Sequence, residues 1–109
     1  MIFLTEGMVR ELTVNKERSQ EYGLILSYEQ SDGLVQIIGI NPGSPSDRIG
    51  KICVGDKIWA INYKRMHGET METLKVVENL IKVFASSVRL HLISNQINGK
   101  YVNNALVLL

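Results

Sequence analysis

The chain has 109 residues, 45% of them hydrophobic, enough for one domain around a single core and too few for two. Lysine and arginine total 12 against 11 aspartates and glutamates, a net charge of +1, so no global field draws the chain to nucleic acid or an anionic membrane. The apolar runs are shorter than the roughly 18 residues of a membrane span. The lone Cys53 has no partner for an internal disulfide, and Met1 to Leu4 runs straight into Thr5, Glu6 and Gly7, unlike a secretory signal. A soluble chain in a reducing compartment is expected.

In chain order, Val9 to Val14 reads as a strand, Asn15 to Glu21 as a polar loop, and Tyr22 to Tyr28 as a second strand. Ser31-Asp32-Gly33 carries an Asp-Gly turn signal, so Tyr22 to Glu29 and Leu34 to Ile40 should form an antiparallel hairpin. Asn41-Pro42-Gly43-Ser44-Pro45 breaks the third strand, and Ser44-Pro45 has the form of a helix cap followed by proline in the first turn. One short turn over Ser46 to Ile49 then ends at Gly50, and Val54-Gly55-Asp56 bends the chain into a strand from Lys57 to Tyr63. After His67-Gly68, with Glu69, Thr70 and Glu72 near the start, Leu74, Val77, Leu80, Ile81 and Phe84 recur at helical spacing, which predicts one long amphipathic helix. Ser86-Ser87 closes it; Val88, Leu90 and Leu92 alternate in a last strand, Asn95 to Gly99 is turn-rich, and Lys100 to Leu109 grows steadily more apolar.

Reactive groups do not converge along the sequence. His67 and His91 lack cysteine or histidine neighbours at ligand spacing and read as solvated side chains, so neither a metal nor another cofactor is expected. Cys53, between Ile52 and Val54, reads as a small core residue rather than a nucleophile. Gly43 to Lys51 has the wrong spacing for a phosphate loop and Ile52 where a hydroxyl would hold magnesium; Ser44 lacks the glycines of a nucleophile elbow. No catalytic residue is expected. Lys64-Arg65 with His67 reads as a solvated basic turn between strand and helix.

One constellation is specific. Lys16 and Arg18 in a polar loop, followed by Tyr22-Gly23-Leu24 and Ile25-Leu26, resemble the carboxylate-binding loop and second strand of PDZ domains, with Glu21 and Tyr22 replacing the first two residues of the family's Gly-Leu-Gly-Phe. Ile40 to Pro45, then Gly50-Lys51-Ile52 and Val54-Gly55-Asp56-Lys57-Ile58-Trp59-Ala60-Ile61-Asn62, are similar to the family's middle; the resemblance spans about Val9 to Ile93. It implies a mainly β fold: a small, partly open antiparallel barrel or sandwich of five to six strands capped by one long and one short helix. It also implies a lead segment over residues 1–8, the domain over 9–94 and a tail over 95–109.

The resemblance implies no enzyme but a module that captures the free C-terminus of partner proteins, among them membrane and signalling proteins, by adding the peptide as a strand between the second strand and the long helix. Consecutive loop amides make a nest for an anion, and glycine lets the backbone approach it, so Tyr22, Gly23 and Leu24 would hold the carboxylate and Ile25 and Leu26 would extend the sheet, with Arg18 of the loop also among the peptide-binding residues. The family's three groove positions on the long helix fall on Leu74, Glu78 and Ile81, with Val77 and Leu80 in the core. Leucine at the first of these lacks the acceptor that a histidine offers to Ser or Thr, so hydrophobic residues are expected at the peptide's end and third from its end. Glu78 is unusual in a groove and points to a basic ligand side chain or to solvent.

The resemblance also implies work in scaffolds at cell junctions and membrane-associated signalling complexes, so a cytoplasmic location, including the inner face of the plasma membrane, is expected. Two alternatives are a protease's regulatory domain that senses exposed C-termini, and a phosphoinositide-binding module using Lys16, Arg18, Lys64 and Arg65, whose membrane contact would be peripheral at most. Strand order disfavours the first, because here the first strand precedes the binding loop. The segment Ala105 to Leu109 has the hydrophobic pattern the groove would prefer. A link of about 50 Å from Ser94 would let it occupy its own groove or a neighbouring chain's.

Overall fold

A computed structural model describes residues 9–68, 70–94, 96–97 and 100–101. Alternating apolar residues form β1 (Val9–Asn15), β2 (Leu24–Glu29), β3 (Leu34–Ile40), β4 (Lys57–Ile61), the two-residue β5 (Lys64–Arg65) and β6 (Ser87–Ile93). These make one antiparallel sheet in the order β1, β6, β4, β3, β2, with β5 paired to β4. Both β1 and β2 are therefore edge strands. Val9 stands opposite Ile93, so the first and last strands of the sheet are neighbours. Beyond β6, β7 (Gln96–Ile97) and β8 (Lys100–Tyr101) pair with each other. The lead segment and the segment Ala105 to Leu109 lie outside the described residues.

The inner sides of β1 and β6 supply Leu12, Val14, Val88, Leu90 and Leu92 to the core, joined by Val35, Ile37, Ile58 and Ile61 and covered by Val77 and Ile81 of α2 (Glu72–Val83). Helix α1 (Pro45–Ile49) begins as its sequence indicates: Ser44 Oγ accepts from Asp47 N–H (3.3 Å), proline sits in the first turn, and Gly50 ends it in the left-handed region. Helix α2 starts later than the acidic cluster suggests. Its cap position is Met71, which lends no side chain, and Thr70 Oγ1 instead accepts from Glu72 N–H (3.3 Å). It packs against β2 and β3, which makes it one wall over the sheet's open end.

Four readings of the sequence need correction. The strand expected to reach Tyr63 stops at Ile61, because Asn62 and Tyr63 turn the chain through positive φ (48° and 69°) into β5. That is the geometry of a two-residue hairpin, and asparagine tolerates it. Lys64-Arg65 is thus a strand, and Arg65 lies 3.4 Å from the centre of the Trp59 ring instead of standing free in solvent. His91 is buried at 7% exposure; its Nε2 accepts the Tyr63 N–H (3.1 Å), one of the bonds that hold the turn. Cys53 is half-buried rather than fully in the core, and its N–H donates to Asp56 Oδ2 (2.9 Å). Strand β4 carries a register shift between Ile58 and Ala60, and Ile58, Ala60 and Ile61 are all buried.

Candidate functional site

The site is built around the turn into β2. Gly23 has φ +87°, and a β-carbon placed on it would overlap Cβ and Oγ of Ser44. Only glycine fits there, because a side chain meets both the strained backbone and the start of α1. The close approach ties the loop down: Tyr22 C=O accepts from Ser46 N–H (3.1 Å), and Gly23 C=O accepts from Asn41 N–H (2.8 Å). In a trans peptide the following N–H points opposite the carbonyl. The N–H groups of Gly23 and Leu24 are therefore turned away from α1 and β3, towards the open side, as two adjacent donors.

The register of β2 on β3 continues this exposure. The Asn41 to Gly23 bond flanks the Leu24–Ile40 pair and makes it a non-hydrogen-bonded pair, so the backbone N–H and C=O of Leu24 face the open edge. Ile37 spends its own N–H on Asp56 C=O and its C=O on Gly55 N–H (2.8 Å each), on the β4 side. Its partner Leu26 therefore also directs its polar backbone to the edge. A bulge between Ile25 and Leu26 keeps this parity. Side chains follow the opposite logic: Leu24, Leu26 and Tyr28 pack on the core side, whereas Ile25 is 46% exposed and folds over Gly39, its Cδ1 lying 3.0 Å from the site of an absent β-carbon.

On the facing wall, Leu74 and Leu80 of α2 are half-buried, Glu78 is exposed, and Ile81 is buried with the core. The structure thus brings Leu24, Leu26 and Leu74 to the same core-side layer and places Ile81 deeper than a purely groove-lining residue. Glu78 points towards solvent. Arg18 is exposed in the loop before β2.

Three features escaped the sequence reading. Tyr22 is buried, and its hydroxyl donates to Phe84 C=O just past α2 (2.7 Å); burial pushes its phenol above the ordinary value. Tyr28 donates in the same way to Gly68 C=O just before α2 (2.8 Å). Lys16 directs its Nζ at Ala85 C=O (2.7 Å), 5.1 Å from the Tyr22 ring centre, so it caps the carbonyls after α2. With Lys16 held there and Arg65 on Trp59, two of the four cations of the phosphoinositide alternative are engaged elsewhere. A tyrosine in an apolar alternation signals that its hydroxyl needs a partner, without saying which one.

An open strand edge beside a long helix, entered through a glycine turn with outward amides, is the architecture of a protein-interaction module. Residues 11–93 match the PDZ domain family, and the chain belongs to that family. The chain is 31% identical over 68 residues to Protein inturned of Xenopus laevis, and spans 7% of that protein's length. Among solved structures it resembles the N-terminal PDZ domain of InaD in complex with a NorpA C-terminal peptide (TM-score 0.64, 24% identity, 77% of this chain and 94% of that one). It is similar also to Dlg1 PDZ2 of the choanoflagellate Monosiga brevicollis (TM-score 0.68, 20% identity, 80% and 99%). These likenesses establish the fold: a mostly β domain with an open, six-stranded antiparallel sheet and two helices.

Proposed function

We propose that this domain binds the C-terminal end of a partner protein as an extra strand on β2, with the terminal carboxylate on the amides of Gly23 and Leu24. The observation that carries the reading is the parity of β2: the Leu24 C=O and both backbone polar groups of Leu26 face the open edge, directly after the outward amides of Gly23 and Leu24. The last side chain of the peptide would then lie near Leu24 and Ile81, and the third from last near Leu26 and Leu74. Those neighbours are apolar, which favours hydrophobic residues at both positions. The C-terminal peptide held by the InaD domain supports the same mode.

Fluorescence anisotropy of labelled peptides ending in a hydrophobic residue, with another third from last, tests the reading. The free acid should bind and the C-terminal amide should bind at least about tenfold more weakly, since the amide loses a charge-assisted contact. Equal binding of acid and amide overturns it.

A further inference from the structure

We propose that the hydroxyl of Tyr28 is a strut that sets the width of the groove at the entrance of α2, and so limits the size of the side chain admitted third from the peptide's end. The inference rests on the strand-addition reading above. Tyr22 precedes β2 and Tyr28 lies near its end, and each donates across the groove to a backbone carbonyl at a different end of α2: Tyr28 to Gly68 before the helix (2.8 Å), Tyr22 to Phe84 after it (2.7 Å).

Gly68 is a relay rather than a loose loop residue. Its N–H donates to Gly33 C=O (3.1 Å), and a β-carbon on Gly33 would lie 2.7 Å from the Gly68 carbonyl oxygen, so the β2–β3 turn presses against it. On its other side a β-carbon on Gly68 would overlap the Thr73 side chain. Thr73 directly precedes Leu74, whose N–H closes the first turn of α2 on Met71 C=O (3.1 Å). A continuous chain of contacts therefore runs from β2 through Tyr28, Gly68 and Thr73 to Leu74, the wall of the third-from-last pocket. At the far end the helix exit is held three times, by Tyr22 on Phe84, by Lys16 Nζ on Ala85 (2.7 Å) and by Lys16 N–H on Ser86 (2.8 Å). Among the described residues the entrance of the helix has one side-chain strut to the sheet beside the Gly68–Gly33 backbone bond, so losing Tyr28 Oη loosens that end while the exit stays fixed.

The full chain, Tyr28→Phe and Tyr22→Phe would be titrated with free-acid peptides ending in Leu and carrying Ala, Val, Leu, Phe or Trp third from last, with an amidated Val peptide as control. The unaltered protein should bind the Val peptide best and the Phe and Trp peptides at least about tenfold more weakly. Tyr28→Phe should reduce that penalty to about threefold or less with little change for Val, and Tyr22→Phe should leave this profile as it was. An unchanged size profile in Tyr28→Phe, or an equal loss for every peptide, overturns the strut. Should Tyr28→Phe lack the native circular dichroism spectrum, Tyr28→Leu removes the same hydroxyl and is read by the same criteria. Failure of the unaltered protein to distinguish acid from amide would instead remove the strand-addition reading, and the strut with it.

Discussion

Ser44 occupies the space that any side chain at Gly23 would need, and the same approach lets Ser46 reach the Tyr22 carbonyl. Gly23→Ala should therefore destabilise the whole domain, by about 2–4 kcal/mol from left-handed strain and the clash with the start of α1 together. Urea unfolding measures it. A loss below about 1 kcal/mol would mean that the loop relaxes freely, and Gly23→Val is accordingly a test of folding before it is one of binding.

Arg10 and Asp56 make the second prediction. The carboxylate of Asp56 is fully buried and takes Arg10 Nη2 (2.6 Å) and Cys53 N–H (2.9 Å), while Arg10 Nη1 reaches Lys51 C=O (2.6 Å). Arg10→Met should cost about 2–3 kcal/mol, the low end for a buried pair because the guanidinium is itself partly solvated. Adding Asp56→Asn to Arg10→Met should recover part of that loss, since a buried amide is less costly than an unpaired buried charge. Chemical denaturation of the four proteins of this cycle checks the sign of the coupling.

Ligand choice should follow Leu74. Leu74→His supplies a ring nitrogen that can accept a hydroxyl hydrogen, and should improve peptides with Ser or Thr third from last by about 1–2 kcal/mol relative to Val. A peptide array that shows the same ranking before and after the change would place the first groove position elsewhere on α2.

Alkaline stability should depend on Tyr22. Burial raises its phenol above the ordinary 10.0, so the folded state keeps the proton where the unfolded state releases it. Its contribution is complete below 10.0 and is lost as pH rises from there through the raised folded value. Tyr22→Phe should cost about 1 kcal/mol at neutral pH from the lost bond to Phe84, and that difference should shrink above pH 10.0. Thermal denaturation of both proteins across pH 7 to 11 measures it.

Local chemistry made much of this fold legible. Ser44-Pro45 and Gly50 bracket α1 as written, the Asp-Gly turn sets the β2–β3 hairpin, and Val77 marks the buried side of α2, although Ile81 rather than Leu80 is the residue buried beside it. What escaped depends on partners distant in sequence. Tyr28 meets Gly68 40 residues on, and Tyr22 meets Phe84 62 residues on; no periodicity encodes those meetings. His91 looked solvated because its neighbours on β6 alternate, yet the turn at Asn62-Tyr63 folds over it. The outward amides at Gly23 and Leu24 were legible as a glycine loop, but their direction required the carbonyl partners Ser46 and Asn41.

The pairing of Val9 with Ile93 has an architectural consequence. The chain enters and leaves the sheet side by side, at β1 and β6, whereas the open edge is β2 at the opposite margin. Four strand spacings of about 4.8 Å, roughly 19 Å measured along the sheet, separate that margin from the entering strand. The domain can consequently be spliced into a longer polypeptide like a bead on a loop of string. Both points of attachment, at Val9 and Ile93, then lie at one margin of the sheet and the open edge at the other.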